Sequence, residues 1–261
     1  MLQAYGLSPL HRLGQNFLHD HNILNKLVDA SDVEEGDVVL EIGPGTGTLT
    51  ETLLERGCTV VACELDRGLT ELLTDRLGDS ITLIHGDCLS KKRLNEEVAE
   101  VLGDRKWKLV ANLPYQIASP LMIDLLSNHP NCQGQYVTIQ YEVGQRLMSK
   151  VDGENWGVLS ILAQRLGEIS LIAKAPNTCF WPQPKITSAC VSMVPKTEKP
   201  SSDNEGFAKF VTGLFAKRRK QLGSILGRDL TLPDGISAEA RPSTLTIEQL
   251  ESLFLLSPFL K

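Results

Sequence analysis

No stretch of about 18 apolar residues interrupts this chain of 261, so no membrane-spanning helix is expected. The start, Met1-Leu2-Gln3-Ala4-Tyr5-Gly6, lacks a basic region followed by an apolar one. That argues against a secretory leader and for a cytoplasmic location. The six cysteines (Cys58, Cys63, Cys88, Cys132, Cys179 and Cys190) form no C-x-x-C pair, and no Cys/His cluster has zinc spacing. Reduced, mostly buried thiols are expected. Gly-Lys-Ser/Thr is absent, which excludes a P-loop. Positive charge is also in deficit: the net charge is −6. A protein that coats nucleic acid non-specifically needs the opposite balance.

What is present is enough apolar residue, 42%, to bury a core, and enough length for one large domain and a small one. The charges are segregated. Residues 29–37 hold Asp29, Asp32, Glu34, Glu35 and Asp37, whereas Lys217-Arg218-Arg219-Lys220 is a pure basic block. A local basic face remains compatible with the acidic total.

Short apolar runs and helical patterns alternate along the first two thirds. Asp37 to Ile42, Thr59 to Cys63, Ile81 to Ile84 and Lys108 to Ala111 read as buried parallel strands. Helix-like sequence lies at 22–30, 49–54, 69–77 and 94–102. Alternating β and α elements imply a doubly wound α/β sheet. Further strands are expected at 135–140, 168–172 and 189–194. The polar Pro/Ser-bearing segment from Pro195 to Asn204 is the expected domain boundary, giving an α/β domain over 1–195 and a small all-helical domain over 196–261. In the latter, Phe207, Phe210, Val211, Leu214 and Phe215 recur at helical spacing. Thr246-Ile247-Glu248-Gln249 fits a capping box opening a last helix. The basic block falls in the helical stretch, as either a solvated face or a phosphate contact. Trp107 and Trp156 read as packing residues.

The residues that close the strands carry the chemistry. Ligands of open α/β sheets sit at the carboxyl ends of strands, so Gly43, Glu64, Asp87 and Asn112 are expected around one crevice. Glu41-Ile42-Gly43-Pro44-Gly45-Thr46-Gly47 is a glycine loop that permits positive φ and close approach of backbone to a ligand, with Gly43 and Gly45 as candidate contacts. Glu64 can accept both hydroxyls of a ribose. Asp87 can accept an adenine amino group. In Asn112-Leu113-Pro114-Tyr115, an Asn side-chain oxygen and the Leu113 carbonyl, aimed by Pro114, would accept from an exocyclic amino group. Tyr115 would stack on the base. These two motifs together suggest methyl transfer from S-adenosylmethionine to a planar nitrogen, driven mainly by positioning, with no metal required. In Phe180-Trp181-Pro182-Gln183-Pro184-Lys185, either Phe180 or Trp181 would pack on an unstacked base or simply fill space under a loop. Gly14-Gln15-Asn16-Phe17-Leu18 either folds over the cofactor or forms a disordered arm.

The ordered set Gly14–Leu18, Glu41–Gly47, Glu64-Leu65-Asp66, Gly86-Asp87, Asn112–Tyr115, Gln140–Val143 with Arg146, Phe180–Lys185 with Ser188, and Arg218-Arg219-Lys220 resembles the ribosomal RNA adenine dimethyltransferases, in particular those of the small subunit. The resemblance spans about residues 11–256. It implies a Rossmann-like methyltransferase domain with a helical C-terminal domain that contacts RNA or the ribosome. It also implies double methylation of two adjacent adenines in the 3′-terminal hairpin of 16S rRNA, with immature 30S subunits as partner. It places cofactor contacts on Asn16, Leu18, Gly43, Glu64, Asp87 and Asn112. The target-base pocket falls on Asn112, Leu113, Pro114, Tyr115 and Phe180; from its charge, the block Lys217, Arg218, Arg219 and Lys220 is the candidate RNA contact. Trp156 stands where the family usually has Tyr. Three alternatives stay open at this point: a large-subunit RNA dimethyltransferase of the macrolide-resistance type, a DNA-adenine or protein-glutamine methyltransferase, and a non-catalytic assembly factor on the same fold. Leu113 counts against the second of these, whose sites commonly carry Asn/Asp-Pro-Pro-Tyr.

Overall fold

The computed structural model describes residues 2–198, 200, 203–227 and 231–256. Of the linker, Lys199, Ser201 and Ser202 lie outside the described residues. The chain divides into two compact units. One holds the chain through Gly144 together with Glu168–Pro195; the other holds Gln145–Gly167 and the chain from Lys196. The division expected at 195/196 therefore misses one excursion. Gln145–Gly167, expected in the α/β domain, belongs with the helical unit because Trp156 and Ile161 lie in the same apolar cluster as Phe207, Phe210 and Leu250.

The first unit is built on seven strands: β1 (Val38–Ile42), β2 (Thr59–Glu64), β3 (Thr82–His85), β4 (Trp107–Asn112), β5 (Cys132–Gln140), β6 (Gly167–Ala175) and β7 (Ser188–Pro195). They lie in the order β3-β2-β1-β4-β5-β7-β6. Neighbours from β3 to β5 are parallel, and β7 runs antiparallel to β5. Helices α1 (His21–Ser31), α2 (Thr48–Glu55), α3 (Arg67–Leu77), α4 (Glu96–Leu102) and α5 (Tyr115–Asn128) accompany the parallel part. The apolar runs read as buried strands are buried: Val39, Leu40, Val60, Val61, Leu109 and Val110 are inaccessible or nearly so. Their lack of polar alternation follows from cover on both faces. Side-chain caps fix the helix starts. Asp20 accepts from the Ile23 N–H at 3.0 Å, and Asp66 accepts from Gly68 N–H at 2.9 Å.

Strand order reverses between β1 and β4, the point at which an open sheet parts into a ligand crevice. Pairing of β1 with β4 runs from Val38↔Trp107 to Leu40↔Leu109. On its other side β4 stays paired with β5 as far as Asn112↔Thr138.

The helical unit contains α7 (Val158–Leu166), α8 (Asn204–Phe215), α9 (Leu222–Leu226) and α10 (Ile247–Leu256), numbered after α6 (Tyr141–Leu147), which bridges the division. The i, i+3, i+4 apolar face of α8 is its buried face. At α10 the capping box forms reciprocally: Thr246 Oγ1 accepts from the Gln249 N–H at 3.2 Å, and Gln249 Oε1 accepts from the Thr246 N–H at 3.0 Å. Inside the unit, Arg165 is buried. It donates to Glu251 at 2.6 Å and lies over the Phe207 ring at 4.3 Å.

Candidate active site

The loop leaving β1 turns with three glycines in the left-handed region: Gly43 at φ 68°, Gly45 at 62° and Gly47 at 88°. Gly45 admits no side chain. A Cβ there would stand 2.8 Å from the Phe17 ring, on top of the strain of positive φ. Arg76 of α3 holds the Thr46 carbonyl and pairs with Glu51 of α2, stapling the loop from outside. Beneath it lies Glu41, 1% exposed, which accepts from the Thr50 hydroxyl at 2.7 Å. Burial pushes the Glu41 carboxyl up to about 8; the Thr50 bond opposes the rise and the Glu64 carboxylate adds to it.

Glu64, closing β2, faces the loop. Its Oε2 accepts from the Gly45 N–H at 3.2 Å and its Oε1 from the Asp66 N–H at 2.9 Å. Burial raises its pKa, and these donors pull it back. Each oxygen keeps a second lone pair for a ligand hydroxyl. Asp87 follows β3. Its Oδ1 accepts from Leu89 N–H at 2.9 Å, and the residue is exposed. At the end of β4, Asn112 Nδ2 donates to the Asn16 main-chain carbonyl at 2.8 Å. That bond fixes which way round the amide sits, and Asn112 Oδ1 accepts nothing from the described residues. Leu113 is buried and its N–H is held by the Thr138 carbonyl at 3.2 Å. Pro114 precedes the first turn of α5, and its carbonyl is taken by Ile117 N–H at 3.1 Å. Tyr115 is half-buried, its hydroxyl 2.8 Å from Ser188 Oγ, and burial raises its pKa.

Gly43, Gly45, Glu64, Asp87, Asn112, Leu113, Pro114 and Tyr115 all line one cleft of about 200 Å³. A further wall is the N-terminal arm, with Gln15, Asn16 and Phe17. Between folding over the cleft and disorder, the arm does the first. Gln15 accepts from Leu10 N–H at 2.7 Å and donates to Asp66 at 2.8 Å. Phe17 and Leu18 pair antiparallel with Trp181 and Phe180. Asp66 is thereby committed to the arm and to capping α3.

Three expected placements are corrected. Phe180 presents no face to the cleft. In the short pairing with the arm, side chains alternate, so Phe180 and Leu18 turn inward to the core, 1% and 5% exposed. Trp181 turns outward at 53% and stacks on Phe17. The Leu18 side chain therefore lies behind the cleft, on a void of about 30 Å³ shared with Glu41 and Asn112. Lys217-Arg218-Arg219-Lys220 does not continue α8, which ends at Phe215, but forms the turn after it. Lys217, Arg219 and Lys220 are exposed, and Arg218 donates to the Glu154 carbonyl at 3.4 Å.

The sequence profile of the family described as ribosomal RNA adenine dimethylase matches residues 9–254. The chain belongs to this family. The dimethylase is 38% identical to the Ribosomal RNA small subunit methyltransferase A of Geobacillus kaustophilus, covering 97% of this chain and 92% of that one. It is 35% identical to the protein of the same name from Chlorobium phaeobacteroides, covering 93% and 91%. Among solved structures, it resembles a dimethyladenosine transferase from Plasmodium falciparum with a TM-score of 0.76, 22% identity and coverage of 92% and 97%. It also resembles the 23S rRNA methyltransferase ErmE with a TM-score of 0.70, 22% identity and coverage of 92% and 99%. These two establish the Rossmann-like fold. The dimethylase is an S-adenosylmethionine-dependent methyltransferase of rRNA, and its cleft suits that cofactor: a loop without side-chain bulk beside two strand-end carboxylates matches a nucleoside with free ribose hydroxyls and an amino group.

The sequence reading missed the apolar part of the lining. Leu65, 49% exposed directly after Glu64, and Ile117 on the first turn of α5 supply it. An apolar residue next to a strand-end acid was the available signal for Leu65. Cys63 and Cys88 also border the cleft. Burial pushes the Cys63 thiol up to about 12, with the Glu64 and Asp87 carboxylates adding to it. The Cys88 thiol is raised too, by burial first and then by Cys63, Asp87 and Glu64 beside it.

Proposed function

We propose that this dimethylase transfers two methyl groups to N6 of each of two adjacent adenines in the 3′-terminal hairpin of small-subunit rRNA, acting on immature 30S particles in the cytoplasm. The name shared by its curated relatives, small subunit methyltransferase A, supports the choice of subunit. The observation that carries the chemistry is the orientation of Asn112: one of its two amide N–H groups is held by the Asn16 carbonyl, which sets its oxygen as the acceptor on the lining of the cleft.

S-adenosylmethionine supplies the methyl group on an already activated sulfonium. The protein's work is on the acceptor. The adenine amino lone pair is delocalised into the ring, which makes it a poor nucleophile. Asn112 Oδ1 and the Leu113 carbonyl accept its hydrogens, two in the first transfer and one in the second, and hold the nitrogen in place; each transfer would leave S-adenosylhomocysteine and release one N6 proton to solvent. Among the described residues neither oxygen is called on by another donor, and the neighbouring Pro114 carbonyl is occupied. Tyr115, its hydroxyl anchored on Ser188, sets a ring against the base. Gly43 and Gly45 admit the cofactor backbone, Glu64 takes the ribose hydroxyls, Asp87 takes the cofactor's adenine amino group, and the Asn16 segment closes the wall. Positioning and exclusion of water provide the acceleration. Lys217, Arg219 and Lys220 contact RNA phosphates, with Arg218 alongside.

The test is mass spectrometry of RNA from unmodified 30S and 50S particles after incubation with protein and cofactor. Two adjacent dimethyladenosines in the 3′-terminal fragment of the small-subunit RNA are expected, with no gain in the large-subunit RNA. Modification of 50S particles, or none of 30S particles, would overturn the proposal.

A further inference from the structure

The chain has three tryptophans. Trp107 and Trp156 are core residues at 3% and 1% exposure, whereas Trp181 keeps 53% of its surface in solvent. Its place is fixed. The register Phe17↔Trp181 and Leu18↔Phe180 turns the second pair inward and sets the first pair on the outer side. There the two rings stack with centroids 6.4 Å apart and planes 21° apart. Phe17 in turn is a wall of the cleft and presses on Gly45. One face of the indole thus lies on the ring that borders the active site, and its exposure leaves the opposite face to solvent.

We infer that this open face of Trp181 is a stacking platform for an unpaired base of the RNA, the nucleotide next to the adenine being methylated. The inference rests on the rRNA-adenine reading above and adds a second base site to it. An adenine whose amino group reaches Asn112 has left its stack, which strips its neighbour of one stacking partner. A flat indole, immobilised on Phe17 at the border of the same cleft, replaces that partner. Because two adjacent adenines are modified, one of them is the base that meets the platform while the other is in the pocket. Stacking of this kind is indifferent to hydrogen-bond pattern, so the site selects for an unpaired base face rather than for one base.

Two readouts test this. Trp181 is the exposed one of the three tryptophans, and the part of the emission that Trp181→Leu lacks reports on it. A hairpin RNA with two adjacent loop adenines, added with S-adenosylhomocysteine to stop turnover, should quench that emission. The same hairpin with an abasic ribose at one adenine should quench it far less. In kinetics, Trp181→Leu, which still covers Phe17, should raise KM for the intact hairpin about tenfold with little change in kcat, and Trp181→Phe should recover most of the loss. On the single-abasic hairpin, wild type and Trp181→Leu should have equal KM, since the partner is already missing. An unchanged KM for Trp181→Leu on the intact hairpin, or an equal loss on both hairpins, would overturn the platform while leaving the catalytic reading intact. Failure of the wild type to methylate either hairpin or 30S particles would overturn the catalytic reading, and the platform with it.

Discussion

Glu41→Gln should change how stability depends on pH, and the structure sets both sign and size. In the fold the Glu41 carboxyl is pushed up to about 8 from 4.5, chiefly by burial. Between those two values the native state holds a proton that the unfolded chain has released. Stability therefore falls as pH rises through that window, and it levels off above about 8. Below pH 4.5 the group is protonated in both states and contributes nothing. At about 1.4 kcal/mol per pH unit, the loss accumulated by pH 7 is about 3 kcal/mol. Glutamine has the same shape, keeps an acceptor for the Thr50 hydroxyl and never ionises. The two proteins should melt together near pH 5 and diverge with rising pH, the variant ahead by about 6–12 °C at pH 7. Scanning calorimetry at constant ionic strength from pH 5 to 8 measures this directly. Glu64 is common to both proteins, and its coupling to Glu41 is part of the difference that the comparison reads. Parallel melting curves across the range would refute a neutral, buried Glu41 beneath the glycine loop.

Three further outcomes follow from the site. Asn112→Ala removes the acceptor while its fold, followed by circular dichroism, stays; turnover should drop by about 10²–10³-fold, and turnover within threefold of wild type would remove Asn112 from the mechanism. Glu64→Gln keeps the volume but loses the charged acceptor, so calorimetry should find S-adenosylmethionine bound about 10–100-fold more weakly; an affinity within twofold would count against the ribose contact. Replacing Lys217, Arg219 and Lys220 with glutamine should lower RNA affinity and flatten its salt dependence by roughly two units of log–log slope. An unaltered slope would make the block a solvated turn.

The parts of the fold that were legible in the sequence are those whose signal is local. Strands β1, β2 and β4 are covered on both faces, so their apolar runs stand out, and the residues that close them face the switch point by topology alone. Strand β5 was read short. It begins at Cys132, where Gln133 and Gly134 break the apolar run, and it buries Gln135 by donating to the Met122 carbonyl at 2.9 Å. The excursion Gln145–Gly167 was illegible because what assigns it to the helical unit is distant in sequence: the Arg165 ion pair with Glu251 and the packing of Trp156. Composition does not change at its ends. Phe180 and Trp181 are adjacent aromatics, and only their register against the arm decides which one is buried. At Asn16 the group that holds Asn112 is a main-chain carbonyl, which every residue type possesses and no sequence pattern reveals.

An enzyme that stores an alkylating agent in its own interior must keep its soft nucleophiles from attacking it. Cys63 and Cys88 border the cleft proposed above to seat the sulfonium, and sulfur attacks carbon as thiolate, not as thiol. Burial and two carboxylates, one of them assigned here to the ribose, hold both protons on. On the proposed assignment, the acids that recognise the donor also guard the protein against suicide methylation. The same neutrality would leave these sulfurs poor targets for electrophilic inhibitors.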